Sequence, residues 1–157
     1  MRIISGSARG RRLKELQGMD TRPTTDKVKE ALSRGAERCT FTDQRREAAA
    51  LIRENIKACG FQDQTHVVQG DAISFLSGCR EKFDLIFLDP PYQSDLLDRA
   101  LETIARFDIL REHGIIVCES AAERTIPQLE APYERGREYR YGKIKLTLFH
   151  RAGRERQ

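Results

Sequence analysis

The stretch FDLIFLDPPYQSD, residues 83–95, decides the fold. Leu85–Leu88 is a continuous apolar run rather than an alternation, as expected of a strand covered on both faces of a parallel sheet. An acid, two prolines and a tyrosine then end it. Asp89 and Pro90 each precede a proline and are held extended, while Pro90 and Pro91 have a fixed φ and no N–H. The chain can neither continue a ladder nor begin a helix there. What remains is a stiff loop rich in acceptors. The Asp89 carboxylate and the Pro90 carbonyl can point out of the sheet edge, and Tyr92 adds a flat aromatic face with a polar tip. With each residue near its average frequency, a specified tetrapeptide such as DPPY turns up on the order of once per hundred thousand positions.

An acceptor pair beside an aromatic ring suits a planar base whose exocyclic NH₂ has two protons to donate. Holding both protons turns the nitrogen lone pair toward an incoming electrophile. The amine is then the nucleophile, and it can lose its proton after the new bond forms.

Outward from this stretch, strands and helices alternate. RCTFTD reads as a strand ending at Asp43. QRREAAALIRENIKACG reads as a helix with Ala48, Leu51, Ile52, Asn55, Ile56 and Cys59 near one stripe and Gly60 as its left-handed cap. HVVQGD then predicts a strand, AISFLSGCR a helix, SDLLDRALETIARF a helix and GIIVCES a strand. REYRYGKIKLTLFHR predicts two adjacent strands around Gly142, the second alternating Ile144, Leu146 and Leu148. Toward the N-terminus, residues 2–16 suggest a small hairpin or extended arm, and a helix begins near PTTDKVKEAL with Thr24 or Thr25 as its cap and Gly35 at its end. The pattern is an α/β doubly wound domain, in which ligands bind beyond the carboxyl ends of the strands. Four strands end in an acid: Asp43, Asp71, Asp89 and Glu119. An acid between strand and helix is about as often a helix cap as a ligand group. As ligand groups, Asp43 would accept the hydroxyls of a ribose and Asp71 an adenine amine.

The 157 residues fit one domain, with residues 1–23 as a basic arm and 24–157 as the body, and no apolar run approaches the ~18 residues of a membrane helix. The opening has no apolar segment suited to a secretory signal, so a cytoplasmic protein is expected. Four scattered cysteines and three histidines lack ligand spacing, which predicts reduced thiols and no metal. The net charge of +4 is segregated: residues 1–30 hold eight Lys/Arg against four acids, 134–157 eight against three, and the middle twelve against seventeen. Arg2, Arg9, Arg11, Arg12 and Lys14 precede the first acid, Glu15, and are interleaved with glycines that let a backbone approach phosphate closely. That is an electrostatic footprint for nucleic acid.

Over nearly its whole length the sequence resembles the RsmD-type methyltransferases, through RIISGSARGRRL, TRPTTDKVKEAL, EALSRGAERCTFTDQ, VVQGDA and FDLIFLDPPY. The resemblance implies a Rossmann-like class I methyltransferase that transfers a methyl group from S-adenosylmethionine to the N2 amine of a guanine in 16S ribosomal RNA. By it, Asp89, Pro90, Pro91 and Tyr92 hold the target base and Asp43, Asp71 and Ala72 contact the cofactor. Arg2, Arg9, Arg11, Arg12, Lys14, Arg22 and Thr24 face the RNA, either free or in a small-subunit assembly particle. DPPY-like loops also serve DNA adenine and protein glutamine amino-methyltransferases, and an inactive RNA-binding remnant is a further alternative.

One departure stands out. The family carries a strand and a Gly-rich loop between its VKEAL and EALSRGA pieces, and here a single EAL, Glu30–Leu32, serves both flanks. About two dozen residues are absent, the length of a strand and the start of its crossover. The lost strand should lie between those ending at Asp43 and Asp89, leaving their lines ~10 Å apart. Several unpaired buried backbone groups at ~1–3 kcal/mol each would rival a whole stability of ~5–15 kcal/mol, unless the sheet closes up by pairing those two strands directly.

Overall fold

The structure, a computed structural model, describes residues 35–151. The expected N-terminal hairpin and helix, and the candidate RNA contacts Arg2, Arg9, Arg11, Arg12, Lys14, Arg22 and Thr24, lie outside the described residues. The chain divides into two units, Met1–Ala72 and Ile73–Gln157.

In the first unit, strand β1 (Cys39–Asp43) leads into helix α1 (Arg46–Cys59), a single 3₁₀ turn at Gln62–Gln64, and strand β2 (Thr65–Gln69). The two strands pair in parallel from Cys39 opposite Thr65 to Asp43 opposite Gln69, so α1 is the crossover of a βαβ unit. α1 buries Ala48, Ala49, Ile52, Asn55, Ile56 and Cys59, close to the expected stripe, with Leu51 only partly covered. Ile52, Ile56 and Cys59 pack with Phe41 and Phe61 into one apolar cluster. Gly60, at φ 76°, ends the helix in the left-handed conformation, and the Phe61 N–H closes back on the Ile56 carbonyl at 3.2 Å.

The second unit takes helix α2 (Ala72–Gly78, its first residue shared with the boundary), then β3 (Phe83–Leu88), α3 (Leu96–Phe107), β4 (Leu110–Ala121), β5 (Tyr133–Tyr141) and β6 (Ile144–Arg151). The strands form one sheet in the order β3-β4-β6-β5; β3 and β4 are parallel, the other pairs antiparallel. α3 buries Leu97, Ala100, Leu101 and Ile104 with Ile86, Leu110, Ile116, Cys118 and Phe149 in the main core. Asp108 ends α3 at φ 48° and accepts from Lys82, from the buried Tyr133 hydroxyl at 3.0 Å and from Arg151. Burial raises the Asp108 pKa, but these donors outweigh it and hold the carboxyl below its usual value.

Three expectations change. β6 does alternate, but its deeper face is Lys145, Thr147 and Phe149, while Ile144, Leu146 and Leu148 are half-buried. The polar members of the deep face are satisfied there. Lys145 Nζ donates to the Arg124 carbonyl at 2.7 Å, and the Thr147 hydroxyl donates to Glu138 at 3.0 Å. β3 is not covered on both faces, since Leu85 is 41% exposed. β4 begins four residues earlier than GIIVCES suggested. Five residue steps, from Leu110 to Ile115, run past only two on β3, from Phe83 to Leu85, with His113 at φ 63° inside the bulge. Gly114 is needed there because a Cβ would meet Leu110 at 2.7 Å.

The sheet has not closed up over the missing strand. Among the described residues β1 pairs only with β2 and β3 only with β4, so the strands form a two-stranded and a four-stranded sheet. None of the four cysteines is in a disulfide; burial pushes the Cys39 and Cys118 thiols up to about 12 and keeps them protonated.

Candidate active site

In the first unit the parallel register brings Asp43 level with Gln69, and the Gly70 N–H donates to the Asp43 carbonyl at 3.1 Å. Asp43, Asp71 and Ala72 are thereby gathered at the carboxyl end of one strand pair, where a ligand of this fold is expected. Asp43 is also engaged locally by Arg45. Its Oδ1 accepts the Arg45 N–H at 2.9 Å and Arg45 Nε at 3.2 Å, and its Oδ2 accepts Arg45 Nη2 at 3.1 Å. The hydrogen bond to Asp43 raises the Arg45 pKa, against a smaller opposing effect of burial. A carboxylate offers about four acceptor positions. Three are in use, which leaves about one for a further donor. A cleft of about 310 Å³ lined by Arg53, Gln62, Thr65 and His66 opens at the other end of β2, away from these acids.

In the second unit β3 delivers Asp89–Tyr92 to the same end of the sheet as Glu119, since Leu88 is level with Cys118. Asp89 and Pro90 are half-buried; Pro91 and Tyr92 are exposed. The loop closes through the Pro91 carbonyl, which accepts the Ser94 N–H at 3.1 Å and the Ser94 hydroxyl at 2.8 Å. Among the described residues no donor reaches the Pro90 carbonyl, which remains an acceptor beside Asp89.

Two residues outside the candidate set fix this loop. The Tyr92 hydroxyl donates to Glu119 Oε1 at 2.9 Å, and Glu119 is only 4% exposed. Arg124 donates to the Tyr92 carbonyl at 3.3 Å, the Ser94 carbonyl at 2.9 Å and the Asp98 carboxylate at 3.0 Å. Tyr92 is therefore held at both its ring tip and its backbone. Glu119 was visible as a strand-end acid, but a hydroxyl partner twenty-seven residues away has no local signature. Arg124 sits in AAERT, a stretch with no pattern of its own. Among the described residues no group of His, Cys, Asp or Glu could hold a metal, and no helix is long and apolar enough to cross a membrane.

The sequence model of the family described as "Conserved hypothetical protein 95" matches residues 1–32 and 29–150. The chain belongs to this family, the RsmD family of methyltransferases. Two matched segments share residues 29–32, the place where one EAL serves both flanks. "Putative rRNA methyltransferase YlbH" of Bacillus subtilis is 33% identical over 184 aligned positions, covering 98% of this chain and 100% of that protein. That alignment runs 27 positions past the chain's own 157 residues. "Ribosomal RNA small subunit methyltransferase D" of Escherichia coli K12 is 26% identical, with 96% and 90% covered. Among solved structures, "Putative methyltransferase yhhF from Escherichia coli" superposes with a TM-score of 0.84 at 24% identity, over 98% of this chain and 99% of that one. The fold of this RsmD-family chain is accordingly the Rossmann-like fold of class I methyltransferases.

Proposed function

We propose that this chain transfers a methyl group from S-adenosylmethionine to the N2 amine of a guanine in 16S ribosomal RNA, and that residues 1–157 act as a single methyltransferase domain with 1–23 as its RNA-facing arm. The observation that carries this reading is the pair of acceptors at the end of β3, Asp89 and the Pro90 carbonyl, next to a tyrosine fixed at both ends. Related chains named as ribosomal RNA methyltransferases support RNA as the substrate.

S-adenosylmethionine, when bound, supplies the methyl group as an electrophile. Asp43, Asp71 and Ala72 suit its adenosine part by their donor and acceptor chemistry. Asp89 and the Pro90 carbonyl accept hydrogen bonds from the two N–H groups of the guanine amine and direct its lone pair, and the amine loses one proton to water once the new bond to carbon has formed. Tyr92 lies against the base, its ring held by Glu119. Orientation contributes up to ~7–11 kcal/mol in favourable intramolecular models, and aligned acceptors ~2–4 kcal/mol more. A guanine amine inside a paired helix is out of reach, so the target is unpaired or flipped.

The divided sheet favours one second reading, an RNA-binding chain that has lost its cofactor loop. Calorimetric titration with S-adenosylmethionine separates the two: micromolar binding supports the enzyme, and no heat at millimolar cofactor supports the remnant. Substrate class is tested by offering labelled methyl donor with RNA, DNA and protein side by side. Label is expected in RNA; label in DNA or protein alone would overturn the assignment.

A further inference from the structure

The β5–β6 hairpin carries a surface that the acceptor loop does not use. Tyr139 is 39% exposed and Tyr141 62%, and at i and i+2 of one strand they share a face of the sheet. Arg137 and Lys143 are exposed beside them, while Arg140, level with the buried Lys145, belongs to the other face. Neither Arg137 nor Lys143 is ion-paired among the described residues. The acid in this run, Glu138, is taken by Lys145 at 3.6 Å, Arg135 at 3.7 Å and the Thr147 hydroxyl. Charges on an edge strand also guard against unwanted pairing, which accounts for the cations but not for two bare tyrosines between them.

The hairpin turn lies at the functional end of the sheet. Tyr141 pairs with Ile144 across Gly142–Lys143, with Gly142 at φ 60°, and Ile144 is level with Ala121 at the carboxyl end of β4. The Ala122 N–H donates to the Lys143 carbonyl at 2.9 Å. β5 is three strand spacings from β3, or ~14 Å, a span that about four stacked nucleotides would cover.

We propose that this hairpin is a platform for single-stranded RNA flanking the target guanine, with Tyr139 and Tyr141 stacking on bases and Arg137 and Lys143 meeting phosphates. The proposal rests on the RNA methyltransferase reading. Stacking on aromatic rings accepts any base, and phosphate contacts make binding salt-dependent.

The test measures binding of a labelled 16S ribosomal RNA fragment by fluorescence anisotropy across a salt series, with circular dichroism as a check on folding. Tyr139→Ala/Tyr141→Ala should weaken binding roughly tenfold or more per stacked base, and Tyr139→Phe/Tyr141→Phe should restore it. Arg137→Ala/Lys143→Ala should flatten the logarithmic salt slope by about 1.4. Affinity for S-adenosylmethionine should stay unchanged in all variants. Unchanged RNA affinity and slope in both alanine variants, with the unmodified chain binding RNA in a salt-sensitive way, would overturn the platform and leave the enzyme reading standing. An unmodified chain that binds no RNA would overturn both.

Discussion

Arg124 illustrates how one side chain outside the motif can govern it. Its guanidinium reaches two loop carbonyls and the Asp98 carboxylate while only 16% exposed, a geometry that a lysine point charge cannot reproduce. Arg124→Ala should lower kcat by ~10–100-fold, the effect of a misplaced reacting group. Affinity for S-adenosylmethionine should be unaltered, and Arg124→Lys should recover little. Stopped-time methyl transfer under saturating RNA checks this. At Asp43, loss of a charge-assisted acceptor is worth ~1.5–3 kcal/mol, so Asp43→Ala should weaken cofactor binding roughly 10–100-fold by calorimetry. The stiffness of the acceptor loop was readable directly from Asp-Pro-Pro, since proline restricts its own φ and its predecessor wherever it occurs. The contacts holding that loop were not readable, because they join residues remote in sequence.

At the scale of elements, helices were legible wherever periodicity and caps agreed, as in α1 with its stripe and Gly60. β6 shows the limit. Alternation marks a strand but cannot say which face goes inward when a lysine and a threonine find internal partners. The core of the second unit gives a direct test: Leu101 is fully buried against it, so Leu101→Ala should cost about 2–5 kcal/mol by denaturant unfolding. The end of α3 gives a pH dependence. Asp108 has a folded pKa below its unfolded one, so its contribution is present above the unfolded value near ~3.9 and is lost as pH falls through the lower folded value. Tyr133→Phe removes one of its donors and should cost about 1 kcal/mol at neutral pH. Thermal unfolding followed from pH 6 to pH 2 should show the difference between Tyr133→Phe and the unmodified chain shrinking as Asp108 protonates.

For the whole molecule, the sequence order of elements predicted the Rossmann-like arrangement. What the sequence left open was whether the strands ending at Asp43 and Asp89 would pair with each other. They do not. The clusters around Ile56 and around Leu101 are each built within one unit. Inserting the family's absent segment after Leu32 should raise both the thermal midpoint and the affinity for S-adenosylmethionine. The intact mass of the protein from its native gene bears on the same point. A mass of 18.0 kDa means the divided sheet is what the gene specifies; a mass heavier by ~2–3 kDa, the weight of a strand and its loop, means the gene supplies that segment.

The measurement that bears most directly on the central claim is nucleoside mass spectrometry of 16S ribosomal RNA after incubation with S-adenosylmethionine and either the unmodified chain or Asp89→Ala. The prediction is N2-methylguanosine from the unmodified chain and none from Asp89→Ala, with RNA binding nearly equal in the two. Undiminished methylation by Asp89→Ala, or methyl groups on a different base, would contradict it.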